Sequence, residues 1–269
     1  MSRQIEKAIE AIRQADGLII GAGAGMGVDS GLPDFRGAEG FWQAYPALRG
    51  RDFTQMANPA AFLRDPLQAW GFYGHRLNLY RQTQPHFGFQ VLKQIGESLA
   101  NGYQIFTSNV DGQFQAAEFD ENRVYECHGS IHHLQCTRPC TDAIWSADHF
   151  SIGVDESSCR ALGALPECPR CGALARPNIL MFGDFCWNSN RSDRQYQKLI
   201  ENTQLMKNPV VIECGAGIAV PTVRYYCESQ EAFLIRINPR DYSLKNSKGV
   251  VLACGAVHAL TLILAGLES

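Results

Sequence analysis

The sequence predicts an α/β fold, a Rossmann-like parallel sheet with helices on both faces, together with a small module held by other means. Three observations predict it. Short apolar runs of strand length alternate with stretches of helix length along most of the chain, which is typical of a parallel sheet covered on both faces. A glycine-rich segment follows the first apolar run. Two close pairs of cysteines lie in a segment with little apolar periodicity.

The elements follow in order from these patterns. A helix is predicted over residues 2–15, where apolar residues at spacings of three and four form one stripe: Ile5, Ala8, Ile9, Ile12 and Ala15. Asp16-Gly17 ends it, and Leu18-Ile19-Ile20 predicts a buried strand. Further strand cores are predicted at Tyr103–Thr107, Pro209–Ile212, Phe233–Ile237 and Val250–Ala253, and further helices at residues 86–100, 192–207 and 255–267.

Two segments interrupt this alternation. Residues 38–84 are rich in aromatic residues and arginine and have no buried strand core, so we predict a helical insertion. Residues 134–176 contain both cysteine pairs and cannot bury much of a core by themselves. We therefore assign a Rossmann-like domain to residues 1–37, 85–133 and 177–269, and a small domain to residues 38–84 and 134–176.

Composition excludes several classes of protein. The 269 residues are 45% hydrophobic with a net charge of −3, which gives no basic footprint for nucleic acid. The N-terminal segment has charges of both signs and no apolar core of a signal peptide, and no apolar run has the length of a membrane span. The ten cysteines are then expected to be reduced or metal-bound. We expect a cytoplasmic protein without a membrane partner and, since no long heptad is present, a monomer.

The cysteine pairs predict a metal site. Cys136 and Cys140 form one close pair, and Cys168 and Cys171 form the other. Each pair puts two sulfurs on one tight turn, and two such turns make the tetrahedral S4 site that Zn²⁺ prefers. Four thiolates fill the coordination shell, so we predict one structural Zn²⁺. Coincidence among ten cysteines, with Cys159 as a substitute ligand, is the alternative.

The glycines after the first strand predict a ligand site. Gly21, Gly23 and Gly25 follow Leu18-Ile19-Ile20, and such a turn lets the backbone approach a pyrophosphate and offer N–H groups to it. A tight strand-to-helix turn is the alternative. The acidic residue that usually holds an adenosine ribose about 20 positions later is missing at a matching strand end, which argues against an ordinary dehydrogenase.

Polar residues after later strands are candidates for the same site. Thr107-Ser108-Asn109-Val110-Asp111-Gly112 follows a predicted strand, and short polar side chains there point into the ligand crevice, unless they only form an Asn/Asp/Gly turn. His128 follows the strand-like Val124-Tyr125 and has a pKa suited to a general base. His132 and His133 are its rivals.

The segment Gly23-Ala-Gly-Met-Gly-Val-Asp-Ser-Gly-Leu-Pro-Asp-Phe-Arg36 resembles the sirtuin signature over fourteen positions. Residues 107–111 are similar to the Thr-Gln-Asn-Ile-Asp segment of that family, and His128-Gly129 to its catalytic site. Gly27 and Ser108 depart from the family pattern, which has Ser or Thr and Gln there. The resemblance implies catalytic roles for His128, Asn109 and Asp111, and NAD contacts at Gly23, Ala24, Gly25, Asp34, Phe35, Arg36, Ser108, Asn109 and Asp111.

The resemblance continues toward both ends of the cleft. Residues 214–221 resemble a family turn near the adenosine, with Ala216 and Gly217 in place of hydroxyl residues. The resemblance to the family implies further NAD contacts at Gly215, Ala216, Asn238, Gly255 and Ala256. Residues 176–184, predicted to return the chain to the sheet, resemble the segment whose loop adds a strand to an extended substrate peptide. It implies substrate contacts at Met181, Phe182 and Gly183, although an ordinary core strand is the alternative.

The acyl group itself has two candidate contacts. Tyr73 and Arg76 are one helical turn apart. Some sirtuins have Tyr-x-x-Arg here, where the guanidinium pairs with a succinyl or malonyl carboxylate. A surface arginine is the alternative.

The resemblance implies NAD-dependent removal of acyl groups from lysine side chains of proteins. The acyl oxygen attacks C1′ of the nicotinamide ribose and releases nicotinamide, and His128 then activates a ribose hydroxyl, so that the acyl group leaves on ADP-ribose. Two other hypotheses stay open. One is a sirtuin-like ADP-ribosyltransferase or NAD hydrolase; the other is a nucleotide-sensing or zinc-dependent interaction module without turnover.

Overall fold

The computed structural model describes residues 2–34, 37–50, 52–244 and 248–269. The α-helices in these ranges are α1 (Ser2–Gln14), α2 (Gly37–Ala44), α3 (Phe53–Met56), α4 (Ala60–Arg64), α5 (Pro66–Gln82), α6 (Phe87–Ser98), α7 (Gln113–Ala116), α8 (Asn190–Gln204), α9 (Thr222–Ser229) and α10 (Ala256–Leu267). The strands are β1 (Gly17–Ala22), β2 (Tyr103–Thr107), β3 (Val124–Glu126), β4 (Gly129–Cys136), β5 (Trp145–Ser146), β6 (Gly153–Asp155), β7 (Arg160–Leu162), β8 (Ala175–Ile179), β9 (Pro209–Cys214), β10 (Phe233–Ile237) and β11 (Gly249–Leu252).

A six-stranded parallel sheet forms the larger part of the molecule and confirms the predicted fold class. Its strand order is β11-β10-β9-β1-β2-β3. The chain proceeds outward from β1 through β2 to β3, and later outward from β9 to β11 on the other side. The direction therefore reverses between β1 and β9, and in open α/β sheets the carboxyl ends of the strands at such a point form the ligand crevice.

Helices cover both faces of this sheet, because its strands are apolar on both sides. Strand β1 is buried at every position, as expected for a central parallel strand. Helices α1, α6 and α10 bury their apolar faces on one side in a core that includes Ile12, Phe89 and Leu260. Helices α8 and α9 contribute Leu199 and Val223 to the core on the other side.

A second apolar core joins the two segments predicted as the small domain. Phe41, Trp70 and Phe72 from the helical segment pack with Leu134 and Ala175 from strands β4 and β8. The indole Nε1 of Trp70 donates to the carbonyl of Ala175 at 3.0 Å. The predicted boundaries at 133/134 and 176/177 fall inside β4 and β8. The division into domains stays a prediction.

The segment after the cysteine pairs does not return to the large sheet, so that expectation was wrong. Strand β8 pairs antiparallel with β4 in a separate three-stranded sheet, β5-β4-β8. The register between β4 and β8 shifts between Ser130 and Leu134, opposite Pro177. Proline lacks the N–H that a regular ladder needs, and such residues favour edges and bulges.

Within the described ranges, none of the helices combines the length and the apolar character that a membrane crossing requires.

Candidate active site and cysteine cluster

A cavity of about 770 Å³ opens at the carboxyl ends of β1, β2 and β9. The turns after these strands line one side of it, and helix α5 and the loop after β8 line the other. It brings together thirteen of the residues predicted from the sequence: Gly23, Ala24, Asp34, Tyr73, Arg76, Ser108, Asn109, Asp111, His128, Met181, Phe182, Gly215 and Ala216. The predicted residues Gly25, Gly183, Asn238, Gly255 and Ala256 do not line it. Phe35 and Arg36 lie outside the described residues.

The glycines of two turns beside this cavity pack backbone against backbone. A Cβ atom on Gly23 would lie 2.7 Å from Cα of Ala216, and one on Gly25 would lie 2.8 Å from Cα of Gly215. Gly215 also has a φ of +62°, which disfavours other residues. The backbone N–H of Gly25 donates to the carbonyl of Gly215 at 3.0 Å. These glycines are therefore needed for contact between the turns, a reason that sequence analysis did not give.

The polar segment after β2 is held rigidly against β1. The hydroxyl of Thr107 donates to the carbonyl of Ala22 at 3.0 Å and accepts the N–H of Asn109. The amide of Asn109 donates to the carbonyl of Gly23 at 3.0 Å. This network fixes the turn after β2 relative to the glycine turn after β1.

Asp111 presents a carboxylate to the cavity in an environment that disfavours its charge. Its Oδ1 accepts the N–H of Gln113 at 3.0 Å. Burial raises the pKa of Asp111 to about 6, and Glu126 adds to this, while the bond from Gln113 and the charge of Arg76 oppose it. The carboxyl group therefore titrates close to neutral pH.

His128 lines the cavity as a neutral imidazole. Burial lowers its pKa below the ordinary 6.5, and a hydrogen bond to the backbone of Ser108 only partly opposes this. Because a backbone carbonyl can only accept, the ring nitrogen at Ser108 carries the proton and the other nitrogen can accept one. Gly129 follows with a φ of +76° and turns the chain into β4.

The two rival histidines have other environments. The Nε2 of His132 bonds to the carbonyl of Asp111 at 2.8 Å, so this ring supports the turn without lining the cavity. Burial, assisted by the charge of Arg191, lowers the pKa of His133 to about 4. Of these three histidines, only His128 reaches the cavity.

Helix α5 brings a buried arginine to the far wall of the cavity. Arg76 donates from Nε and Nη2 to the hydroxyl of Tyr80 at 3.0 and 2.8 Å, and its guanidinium lies 5.3 Å from the ring centroid of Phe72. The hydroxyl of Tyr73 is buried and has no hydrogen-bond partner among the described residues. Tyr80 also lines the cavity; sequence analysis missed it, although its spacing of four from Arg76 was a usable signal.

The side chain of Asn238 makes hydrogen bonds within the protein. It is fully buried, its Nδ2 donates to the carbonyl of Ala216 at 3.0 Å, and its Oδ1 accepts the N–H groups of Arg240 and Asp241. Arg224 donates to the same carbonyl of Ala216 at 3.3 Å and to the carbonyl of Asp241 at 2.6 Å. These two side chains hold the turn after β9. Sequence analysis did not find Arg224, since an arginine in a helix gives no such signal.

The loop after β8 has its shape fixed by a buried ion pair. Arg176 and Asp184 are 2.8 Å apart, with side chains that are 2% and 0% exposed. The carboxylate of Asp184 also accepts the N–H groups of Met181 and Cys186. The N–H of Phe182 donates to the carbonyl of Ala57 at 2.8 Å, which ties the loop to the helical segment.

The four predicted cysteines form one cluster, and none of them lines the cavity. Their sulfur atoms all lie within 4.8 Å of one another, and three of the separations are 3.6, 3.6 and 3.7 Å. A tetrahedral site with Zn–S bonds of 2.3 Å would have sulfurs about 3.8 Å apart. The cluster therefore fits a structural Zn²⁺. Cys159 is buried elsewhere and is not part of it.

Comparisons with known proteins agree with this geometry. The chain is 26% identical over 252 residues to NAD-dependent protein deacylase 1 of Caldanaerobacter subterraneus, covering 92% of this chain and 93% of the relative. It is 28% identical over 258 residues to NAD-dependent protein deacylase 1 of Archaeoglobus fulgidus, covering 92% and 94%. The crystal structure of a Sir2 homologue–NAD complex has a TM-score of 0.74 at 22% identity, covering 98% and 93%. The model of the Sir2 family matches residues 23–222, and the chain therefore belongs to the Sir2 family.

Proposed function

We propose that this protein removes acyl groups from lysine side chains of proteins in an NAD-dependent reaction. The observation that carries the proposal is the shared cavity: a neutral His128, Asn109 and Asp111 meet the glycine turns at the switch point of a parallel sheet. The relatives named NAD-dependent protein deacylase, which match most of the chain, support the same activity.

The cavity suits a dinucleotide in size and chemistry. Its volume of about 770 Å³ is within the usual range of roughly 300–1,000 Å³ for ligand sites. Gly23, Ala24, Gly215 and Ala216 would hold the phosphates and the adenosine half through their backbone, and Asn109 and Asp111 would orient the nicotinamide half. NAD, when bound, supplies the bond to nicotinamide that breaks and the ribose that receives the acyl group.

The proposed base is the ring nitrogen of His128 that does not face Ser108. This nitrogen is unprotonated near neutral pH, because burial keeps the pKa of the ring below 6.5, so it can take a proton from a hydroxyl group in the cavity. The bond to the carbonyl of Ser108 holds the ring orientation. Met181 and Phe182, from the loop after β8, would flank the acylated lysine, and strand addition to this loop would bind the peptide backbone.

We further propose that the acyl group carries a carboxylate, as succinyl and malonyl groups do. Arg76 is buried beside Tyr73, whose hydroxyl has no hydrogen-bond partner among the described residues. A carboxylate between them would accept a hydrogen bond from each side chain and form an ion pair with the guanidinium of Arg76. Succinyl and acetyl peptides of one sequence test this preference: Arg76→Met should remove activity on the succinyl peptide only. Equal loss on both peptides would contradict it.

One assay tests the main proposal against its alternative. The protein is incubated with NAD and acylated peptides, and nicotinamide, acyl-ADP-ribose, ADP-ribosylated protein and ADP-ribose are separated. Deacylation requires nicotinamide and acyl-ADP-ribose in equal amounts. His128→Ala should abolish the formation of acyl-ADP-ribose without abolishing NAD binding, because His128 acts after nicotinamide has left. ADP-ribosylated protein, or free ADP-ribose without peptide, would instead identify an ADP-ribosyltransferase or an NAD hydrolase.

We also propose that the protein acts as a cytoplasmic monomer that does not bind nucleic acid. Its net charge of −3 and its ten cysteines, none of which forms a disulfide in the described part of the chain, support this setting.

A further inference from the structure

Exposed apolar side chains concentrate on two loops at the mouth of the cavity. We call them the rim patch: Leu180, Phe182, Phe185, Ile218 and Val220. Three of the five line the cavity itself, and Phe185, Ile218 and Val220 are 99%, 65% and 50% exposed. Single exposed apolar residues are ordinary, whereas several together beside a cleft mark a surface that binds something.

The loop that carries Phe185 is not free to fold this side chain away. The buried pair of Arg176 and Asp184 fixes the loop, and Asp184 bonds the backbone on both sides, at Met181 and Cys186. Phe185 follows Asp184 directly and is held in solvent by this arrangement. An apolar group presented on a rigid loop loses little entropy when a partner covers it.

The rim patch is also without charge. Residues 179–188 and 215–221 contain one charged residue, Asp184, and Arg176 neutralises it inside the protein. A partner with acidic or basic groups at this place would lose hydration and would meet no opposite charge on these two loops, although Asp34, Asp52 and Arg76 line the cavity beside them. An apolar partner would gain from burial.

The position of the patch identifies its occupant. A lysine side chain that enters the cavity places its own backbone at the mouth, and an extended peptide advances by about 3.3 Å per residue. The one or two residues on either side of the lysine then lie over the loops of the patch. We infer that the rim patch selects acyl-lysine sites flanked by large apolar side chains. The inference rests on the proposed deacylation and adds a class of substrate sequence to it.

Four peptides test the inference. They share one acyl-lysine and one length, and differ only in having Leu, Gly, Glu or Lys on both sides. We expect kcat/KM for the Leu peptide to exceed that for the Gly peptide by about tenfold, through KM, and the Glu and Lys peptides to be no better than the Gly peptide. Phe185→Ser should reduce the Leu/Gly ratio at least about threefold. Leu63→Ser is the matched control, because Leu63 is 76% exposed on α4 and does not line the cavity; it should leave the ratio unchanged.

Equal kcat/KM values for the four peptides would overturn the inference and leave the proposed deacylation intact. If no peptide is turned over, the affinity of the protein for the same peptides is measured by calorimetric titration without NAD. Tighter binding of the Leu peptide, weakened by Phe185→Ser, would then support the inference although the proposed function had failed. Equal affinities would overturn it.

Discussion

Replacing Asp111 by asparagine should stabilise the protein while abolishing its activity. The carboxyl group is half-buried beside the cavity, and the loss of solvent around it raises its pKa from the ordinary 3.8 to about 6. The folded state therefore disfavours the charged form. With the folded pKa above the unfolded one, the contribution of this group to stability is most favourable below pH 3.8 and is lost as the pH rises through about 6.

The size of the effect follows from the shift in pKa. A difference of about two units corresponds to about 3 kcal/mol well above pH 6, at about 1.36 kcal/mol per unit. Water in the cavity screens part of this cost, so we expect Asp111→Asn to raise the free energy of unfolding by about 1–3 kcal/mol at pH 8. Asparagine keeps an Oδ1 that can accept the N–H of Gln113, so the bond seen at 3.0 Å can persist.

Urea unfolding at pH 8 and at pH 5 measures this effect. The gain at pH 5 should be about half of that at pH 8, because the wild-type carboxyl is by then mostly protonated in the folded state. Asp142→Asn, on the exposed surface, is the control and should give no such pH dependence. The reasoning is refuted if Asp111→Asn is no more stable than the wild type at pH 8, or if its gain is the same at both pH values.

Three further predictions concern the metal, the turn after β9 and the base. Chelation of zinc, or Cys168→Ser, should lower the melting temperature by more than about 10 °C, because the cysteine cluster holds a segment with little core of its own. Metal analysis and thermal unfolding followed by circular dichroism check this prediction. An unchanged melting curve after complete loss of the metal would contradict it. Arg224→Met should raise the KM for NAD about tenfold and leave the KM for the peptide unchanged, because the carbonyl of Ala216 loses a hydrogen-bond donor. Arg224→Lys should recover part of the affinity for NAD. A fall in kcat alone would count against a role of Arg224 in positioning the turn after β9. The acid limb of kcat/KM should have its midpoint below pH 6.5, because burial lowers the pKa of His128; a midpoint above 6.5 would remove His128 as the base.

Much of the site could be predicted because each of its segments directly follows a strand that local apolar patterns reveal. The glycine turn, the segment at Asn109 and Asp111, and His128 each follow a strand, and the carboxyl ends of neighbouring parallel strands must meet at one edge. The cysteine quartet was equally local, since two short spacings were enough to predict the cluster.

Other residues could not be predicted, because their roles depend on contacts between distant segments. The side chain of Asn238 bonds to Ala216 and to the following backbone, which the sequence did not indicate, and its predicted contact with NAD stays a prediction. Gly23 and Gly215 are 192 positions apart in sequence, and only folding shows that a Cβ at Gly23 would meet the turn after β9. Strand β8 was assigned to the wrong sheet for the same reason.

By itself, the sequence determined the class of fold, the place of the crevice and the four members of the cysteine cluster, because apolar periodicity and short spacings are properties of neighbouring residues. Only the tertiary structure decided which of three histidines reaches the cavity and which polar side chains form hydrogen bonds within the protein. It also decided that the side chain of Phe185 is exposed to solvent. Those outcomes depend on burial and on partners far away in the chain, and no local pattern encodes either.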